Sequence, residues 1–134
     1  MKEYIVDSCI FVAFLFKEKS FLAVEEILNR AFAGEIKLIV SPIILGEIYF
    51  TAVRQIPKIE VSEFLEDIKQ NYNLEITTIS FADCMAAAEY KTSGEIAYFD
   101  CFNLVLAQKY PKAEILTLDS EYQKFAQEFN VRFL

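Results

Sequence analysis

Five short apolar runs, four of them closed by a capping or turn residue and all separated by stretches with helical spacing, leave this chain few architectures. They are residues 3–6 (EYIV), 36–40 (IKLIV), 75–79 (EITTI), 114–118 (EILTL) and 131–133. Strands that are apolar nearly throughout are covered on both faces, which is the mark of a parallel sheet between helical layers. The intervening segments supply those layers. Residues 9–16 are apolar all round and read as a buried helix. Ser20 opens a second helix with Phe21, Val24, Ile27, Leu28 and Ala31 on one face, ending near Gly34. Ser41-Pro42 starts a third that runs to about Arg54 and stops before Pro57. Val61, Phe64, Leu65 and Ile68 mark a fourth. A capping box, Ser80 to Asp83, opens a fifth that ends at Ser93-Gly94. A sixth covers 97–109 and a last one 120–128. The pattern predicts an α/β three-layer sandwich with a five-stranded parallel sheet, in one domain over residues 1–134.

Composition narrows the function classes. The longest apolar run, Cys9 to Phe16, is far short of the roughly 20 residues a membrane helix needs. Glu3 and Asp7 interrupt the apolar N-terminus and Lys17-Glu18-Lys19 follows it, which argues against a secretory signal. Cys9, Cys84 and Cys101 are widely spaced among apolar residues, as free thiols in a reducing cytoplasm would be. There is no His at all, so the common zinc sites and the His-dependent triads are excluded. Twenty acidic against thirteen basic residues give a net charge of −7, which speaks against an extended basic surface for nucleic acid.

Most acids lie among other charges and read as solvated helix faces. Four do not: Asp7 in YIVDSCIF, Glu47 in IILGEIYF, Asp100 in AYFDCFNLVLA and Asp119 in ILTLDSEY. Each is a lone carboxylate in apolar company, and burying one without a partner costs several kcal/mol. The basic residues are not interleaved with these segments, so a bound metal ion is the cation that fits. Asp7 and Asp119 directly follow predicted strands, at the carboxyl edge where open α/β sheets bind ligands. An oxygen-only ligand set selects a hard cation, Mg²⁺ or Mn²⁺, and such a cluster suits phosphodiester hydrolysis. Capping is the competing role for Asp7 and Asp100, and a turn for Asp119; Glu47, in mid-helix, is neither cap nor turn. Ser8, Thr117 and Asn103 stand where they can support the acids, Glu121 reads as solvent-facing or as a fifth acid, and Asp83 as a structural cap.

On these motifs (YIVDSCIFVAFL, SPIILGEIY, AYFDCFNLVLA and ILTLDSEYQKF) the chain resembles the PIN domain family, which includes the VapC-type ribonuclease toxins, over essentially its whole length. The resemblance implies strand order 3-2-1-4-5, Mg²⁺ or Mn²⁺ at the acidic site and RNA cleavage. It carries metal-binding and catalytic roles to Asp7, Glu47, Asp100 and Asp119, and implies an antitoxin partner if the chain is a toxin. Thr117 sits where the family often has Thr or Ser; Cys9, Phe11 and Asn103 depart from its usual residues without removing a ligand. A receiver domain or a haloacid-dehalogenase-type phosphatase would need a second acid beside or two after Asp7, and Ser8 and Cys9 stand there. A non-catalytic scaffold binding protein or RNA remains the alternative. The helix Cys9 to Phe16 has more apolar side chains than one core stripe uses, which predicts a homodimer involving it or its neighbour.

Overall fold

The apolar runs pair into one sheet. In a computed structural model describing residues 1–134, the strands are β1 (Lys2–Val6), β2 (Ile36–Val40), β3 (Leu74–Ile76), β4 (Glu114–Thr117) and β5 (Val131–Phe133). Their order is β3-β2-β1-β4-β5, and every neighbouring pair is parallel. β1 is central, with Ile5 opposite Ile39 on one side and Ile115 on the other. Both the sheet and the order implied by the family resemblance are as expected.

Period-two alternation divides the strand side chains between two cores. Tyr4, Val6, Leu38, Val40 and Leu116 face the layer made by α1 (Ser8–Leu15), α2 (Phe21–Phe32), α3 (Pro42–Ala52) and α4 (Lys58–Asn71). Ile5, Ile39 and Ile115 face α5 (Phe81–Ser93), α6 (Tyr98–Lys109) and a short 3-10 helix, Ser120–Phe125. The helix ends follow local chemistry. Ser41 caps α3 by accepting from the Ile44 N–H, with Pro42 at the first helical position. α2 ends in a Schellman motif: Glu35 N–H reaches Arg30 O, Gly34 N–H reaches Ala31 O, and Gly34 takes φ +77, which a side chain resists. The chain then turns straight into β2.

Three expectations are corrected. β3 stops at Ile76 rather than 79, because its one neighbour, β2, ends at Val40 and turns into α3; Thr77 makes the last bond, its N–H to Val40 O. The segment expected as a helix over 120–128 is a 3-10 helix of six residues. Asp119 accepts the Glu121 N–H and so tightens the first turn, and Tyr122 N–H then bonds back three residues to Asp119 O. The apolar surplus of α1 is absorbed within the chain. Phe14 stacks on Phe21 and Phe64 at 5.2 and 5.8 Å, Phe11 packs edge-on to Phe64, and no residue of α1 is exposed. Exposed aromatic side chains lie on α2 (Phe32), α3 (Tyr49, Phe50), α5 (Phe81), α6 (Tyr98, Phe99) and β5 (Phe133) instead.

α6, which carries two of the site residues, is tied to α5 by Asp83. The Asp83 carboxylate completes the Ser80 capping box and pairs with Lys109 at 2.6 Å. Lys109, together with the Ser80 N–H, holds that carboxyl below its usual range. A lowered acid contributes stability above its unfolded pKa and loses it as pH falls through the folded one. Asp83→Asn keeps the cap acceptor and removes the charge, so it should cost roughly 0.5–1 kcal/mol at pH 7, because Lys109 is half exposed. Urea denaturation should show that difference shrinking below about pH 4.

Candidate active site

The carboxyl edge of β1 and β4 gathers the isolated acids. Asp7 follows β1 as the N-cap of α1, and its N–H extends the sheet pairing to Leu116 O at 3.1 Å. Its carboxylate is 2% exposed and accepts four bonds. Oδ1 takes the Ser8 N–H at 2.8 Å and an Asn103 Nδ2–H at 3.3 Å. Oδ2 takes the Thr117 hydroxyl at 2.8 Å and the Cys9 thiol at 3.2 Å. Thr117, the last residue of β4, also accepts the Asp119 N–H at 3.0 Å, so one hydroxyl links two acids. Cys9 in turn accepts the Leu118 N–H at 3.3 Å.

The other acids arrive from separate elements. Asp100 lies in the first turn of α6 and is buried; Ala97 is the N-cap there, so Asp100 is not the cap that sequence also allowed. Asp119 follows β4 and caps the 3-10 helix, while its carboxylate stays partly exposed. Glu47 is half-buried in the second turn of α3, and its Oε1 is buried with no hydrogen-bond partner. Glu121 is exposed, as the first of its two sequence readings held, yet its carboxylate joins those of Asp100 and Asp119 within 4.8 Å of one another. Asp7 and Glu47 stand outside that trio and act on Asp100, Glu47 through charge and Asp7 through charge and a side-chain hydrogen bond.

Electrostatics record the crowding. Burial, then the charges of Asp7, Glu47 and Asp119, push the Asp100 carboxyl up to about 8. Burial raises Asp7 against the pull of its donors, with Asp119 adding to the rise. Glu47 is raised by burial and then by Asp7, and the Ser8 hydroxyl opposes it. The Cys9 thiol is pushed far up by burial and by Asp7, so it stays a donor. Six ion pairs form in the chain and none includes Asp7, Glu47, Asp100 or Asp119.

These residues fit a hard cation. Two buried oxygens lack partners, Glu47 Oε1 and Asn103 Oδ1, and both are acceptors. These two acceptors lack donors, and a hydrated divalent ion would supply them together with positive charge. One carboxylate oxygen from each of Asp100, Asp119 and Glu121 lies within 4.8 Å of the other two, near enough for one ion to bridge them.

Sequence reasoning missed two participants. Cys9 read as a buried apolar thiol, although its place two residues after Asp7 at a helix cap was a signal. Tyr122 read as an ordinary member of a helical stretch; it is fully buried, and its hydroxyl meets Asn103.

The PIN domain family model matches residues 4–128. A search of curated protein sequences returned no match. Among solved structures, VapC20 of Mycobacterium tuberculosis, described as a sarcin–ricin loop cleaving toxin, superposes with a TM-score of 0.74 at 14% identity, over 94% of this chain and 95% of that one. A chain of the VapBC2 complex of Rickettsia felis, bound to a promoter DNA fragment, gives 0.72 at 19% identity over 98% of each chain. DNA-bound VapBC of Salmonella typhimurium gives 0.71 at 13% identity over 99% and 98%.

Carboxylate crowding has a measurable cost in the metal-free protein. At about pH 9 in EDTA, where Asp100 has lost its proton, Asp100→Asn should raise stability by on the order of 1 kcal/mol, or several degrees in Tm. Mn²⁺ should raise the Tm of the wild type more than that of the variant. A variant that melts below wild type in EDTA would show that Asp100 is not crowded by like charge.

Proposed function

The chain belongs to the PIN domain family, whose members are in general nucleases, and from that premise we propose that it is a Mg²⁺- or Mn²⁺-dependent endoribonuclease that hydrolyses RNA phosphodiester bonds. The reading assigns Asp7, Glu47, Asp100 and Asp119 as the metal-binding and catalytic acids, with Ser8, Asn103 and Thr117 in support. What carries it is four acids with no counter-ion in the chain, together with two unpartnered buried acceptors, one on Glu47 itself and one on Asn103. A bound divalent ion would supply Lewis-acid activation of water and neutralise charge developing on the phosphodiester. The chain's own part is to hold the ligands still. Thr117, Cys9, Asn103 and the Ser8 N–H fix both oxygens of Asp7. The Glu121 N–H orients Asp119, and α3 brings Glu47 in from the side.

RNA as substrate is supported by the family and by the likeness to a sarcin–ricin loop cleaving toxin. Several neighbours are toxin–antitoxin complexes, which supports a toxin role with a protein antitoxin as partner. Three free cysteines support a cytoplasmic setting, and no helix is long and apolar enough to cross a membrane. A homodimer is supported by an exposed apolar surface that the fold leaves on α3, α5 and α6. Tyr49, Phe50, Phe81, Met85 and Phe99 lie there, and Phe50 packs only against Phe99, at 6.0 Å between ring centroids, among the aromatic pairs.

Cleavage assays on structured and single-stranded RNA test the activity. Wild type should cut with Mg²⁺ or Mn²⁺ and stop with EDTA, while Asp7→Asn and Asp119→Asn should lose at least a hundredfold in rate yet remain folded. Metal-dependent binding of RNA with no cleavage by wild type would establish the scaffold alternative instead. Light scattering at micromolar concentration should give the mass of a dimer, and Phe81→Glu with Met85→Glu should give that of a monomer. A monomeric wild type would remove the dimer from the proposal.

A further inference from the structure

Tyr122 is wholly buried, and a hydroxyl in that setting destabilises the fold unless it is bonded. It is bonded on both sides. It accepts an Asn103 Nδ2–H at 2.9 Å and donates to the main-chain oxygen of Asp100 at 3.4 Å. The second Nδ2–H of Asn103 goes to Asp7 Oδ1 at 3.3 Å. The amide orientation follows from these bonds, since a flipped amide would set its oxygen against the acceptor-only Asp7 carboxylate. Both Asn103 donors are thereby used, and Oδ1 is left buried with no partner. Two acids on different elements are thus joined through one amide and one phenol: Asp7 after β1 by its carboxylate, and Asp100 in α6 by its backbone.

We propose that Tyr122 is a positioning residue for divalent-cation binding, its hydroxyl locking the Asn103 amide between Asp7 and Asp100 and leaving the Asn103 carbonyl oxygen to accept from a cation-bound water. The inference rests on the reading of this cluster as a divalent-cation site. Without the hydroxyl, one Asn103 N–H loses its acceptor and the amide is free to turn away from Asp7. Groups that orient metal ligands in this way typically account for 10–100-fold in affinity.

Mn²⁺ affinity, measured by titration calorimetry on the full chain, separates this role from simple packing through four proteins: wild type, Tyr122→Phe, Asn103→Ala and the double variant. Tyr122→Phe keeps the ring, so its circular dichroism should match wild type while Mn²⁺ binding weakens roughly tenfold. Because the tyrosine acts through Asn103, the double variant should bind no more weakly than Asn103→Ala alone. The proposal is overturned if Tyr122→Phe binds Mn²⁺ like wild type, or if the two losses multiply in the double variant. Should Tyr122→Phe not fold, Asn103→Ala decides, and wild-type affinity there overturns the proposal. A folded wild type that binds no Mn²⁺ would instead refute the cation site, and this inference with it; normal wild-type binding confines any failure to Tyr122.

Discussion

Four donors converge on the carboxylate of Asp7, and the arrangement of the sheet edge depends on that convergence. An ionised carboxylate at 2% exposure carries a desolvation cost of several kcal/mol unless its lone pairs are satisfied. Here the donors come from three segments: Ser8 and Cys9 at the start of α1, Asn103 in α6 and Thr117 at the end of β4. β1 beside β4 and α6 over the same edge are therefore requirements of one side chain as well as results of apolar packing. All four donors are neutral. They solvate the charge without cancelling it, so Asp7 stays a source of negative potential, which contributes to driving Asp100 up to about 8.

The sheet was legible in the sequence because parallel strands buried on both faces leave unbroken apolar runs, and a capping residue stands after most of them. What was not legible depends on tertiary neighbours. β3 ends where β2 leaves it, which residues 75–79 cannot reveal. The apolar excess of α1 looked like an interface because its partners, Phe21 and Phe64, belong to α2 and α4. In the candidate site, Asp7, Glu47, Asp100 and Asp119 stood out as single charges in apolar segments. Tyr122 did not, since an aromatic ring in a helical stretch reads as core, and only the fold shows its hydroxyl meeting Asn103. Glu121 read as solvent-facing or as a fifth acid, and its proximity to Asp100 and Asp119 comes with the tight 3-10 turn after Asp119.

Charge sets the conditions under which this site can work. Acids outnumber bases 20 to 13, and the five bases that form ion pairs, Lys2, Arg30, Lys37, Lys109 and Lys124, pair with acids outside the site. Under the proposed reading, a divalent ion from solution would bring positive charge to the four acids, and attraction for a polyanion would be strongest where that charge binds. Substrate affinity and chemistry would then share one requirement.

A crystal grown with Mn²⁺ and measured for anomalous scattering locates that charge directly. The expected result is a peak at the carboxyl edge, roughly 2.1 Å from carboxylate oxygens that include those of Asp100 and Asp119. A saturated crystal with no peak there, the acids remaining hydrogen-bonded to protein and water alone, would contradict the assignment of this edge as a metal centre.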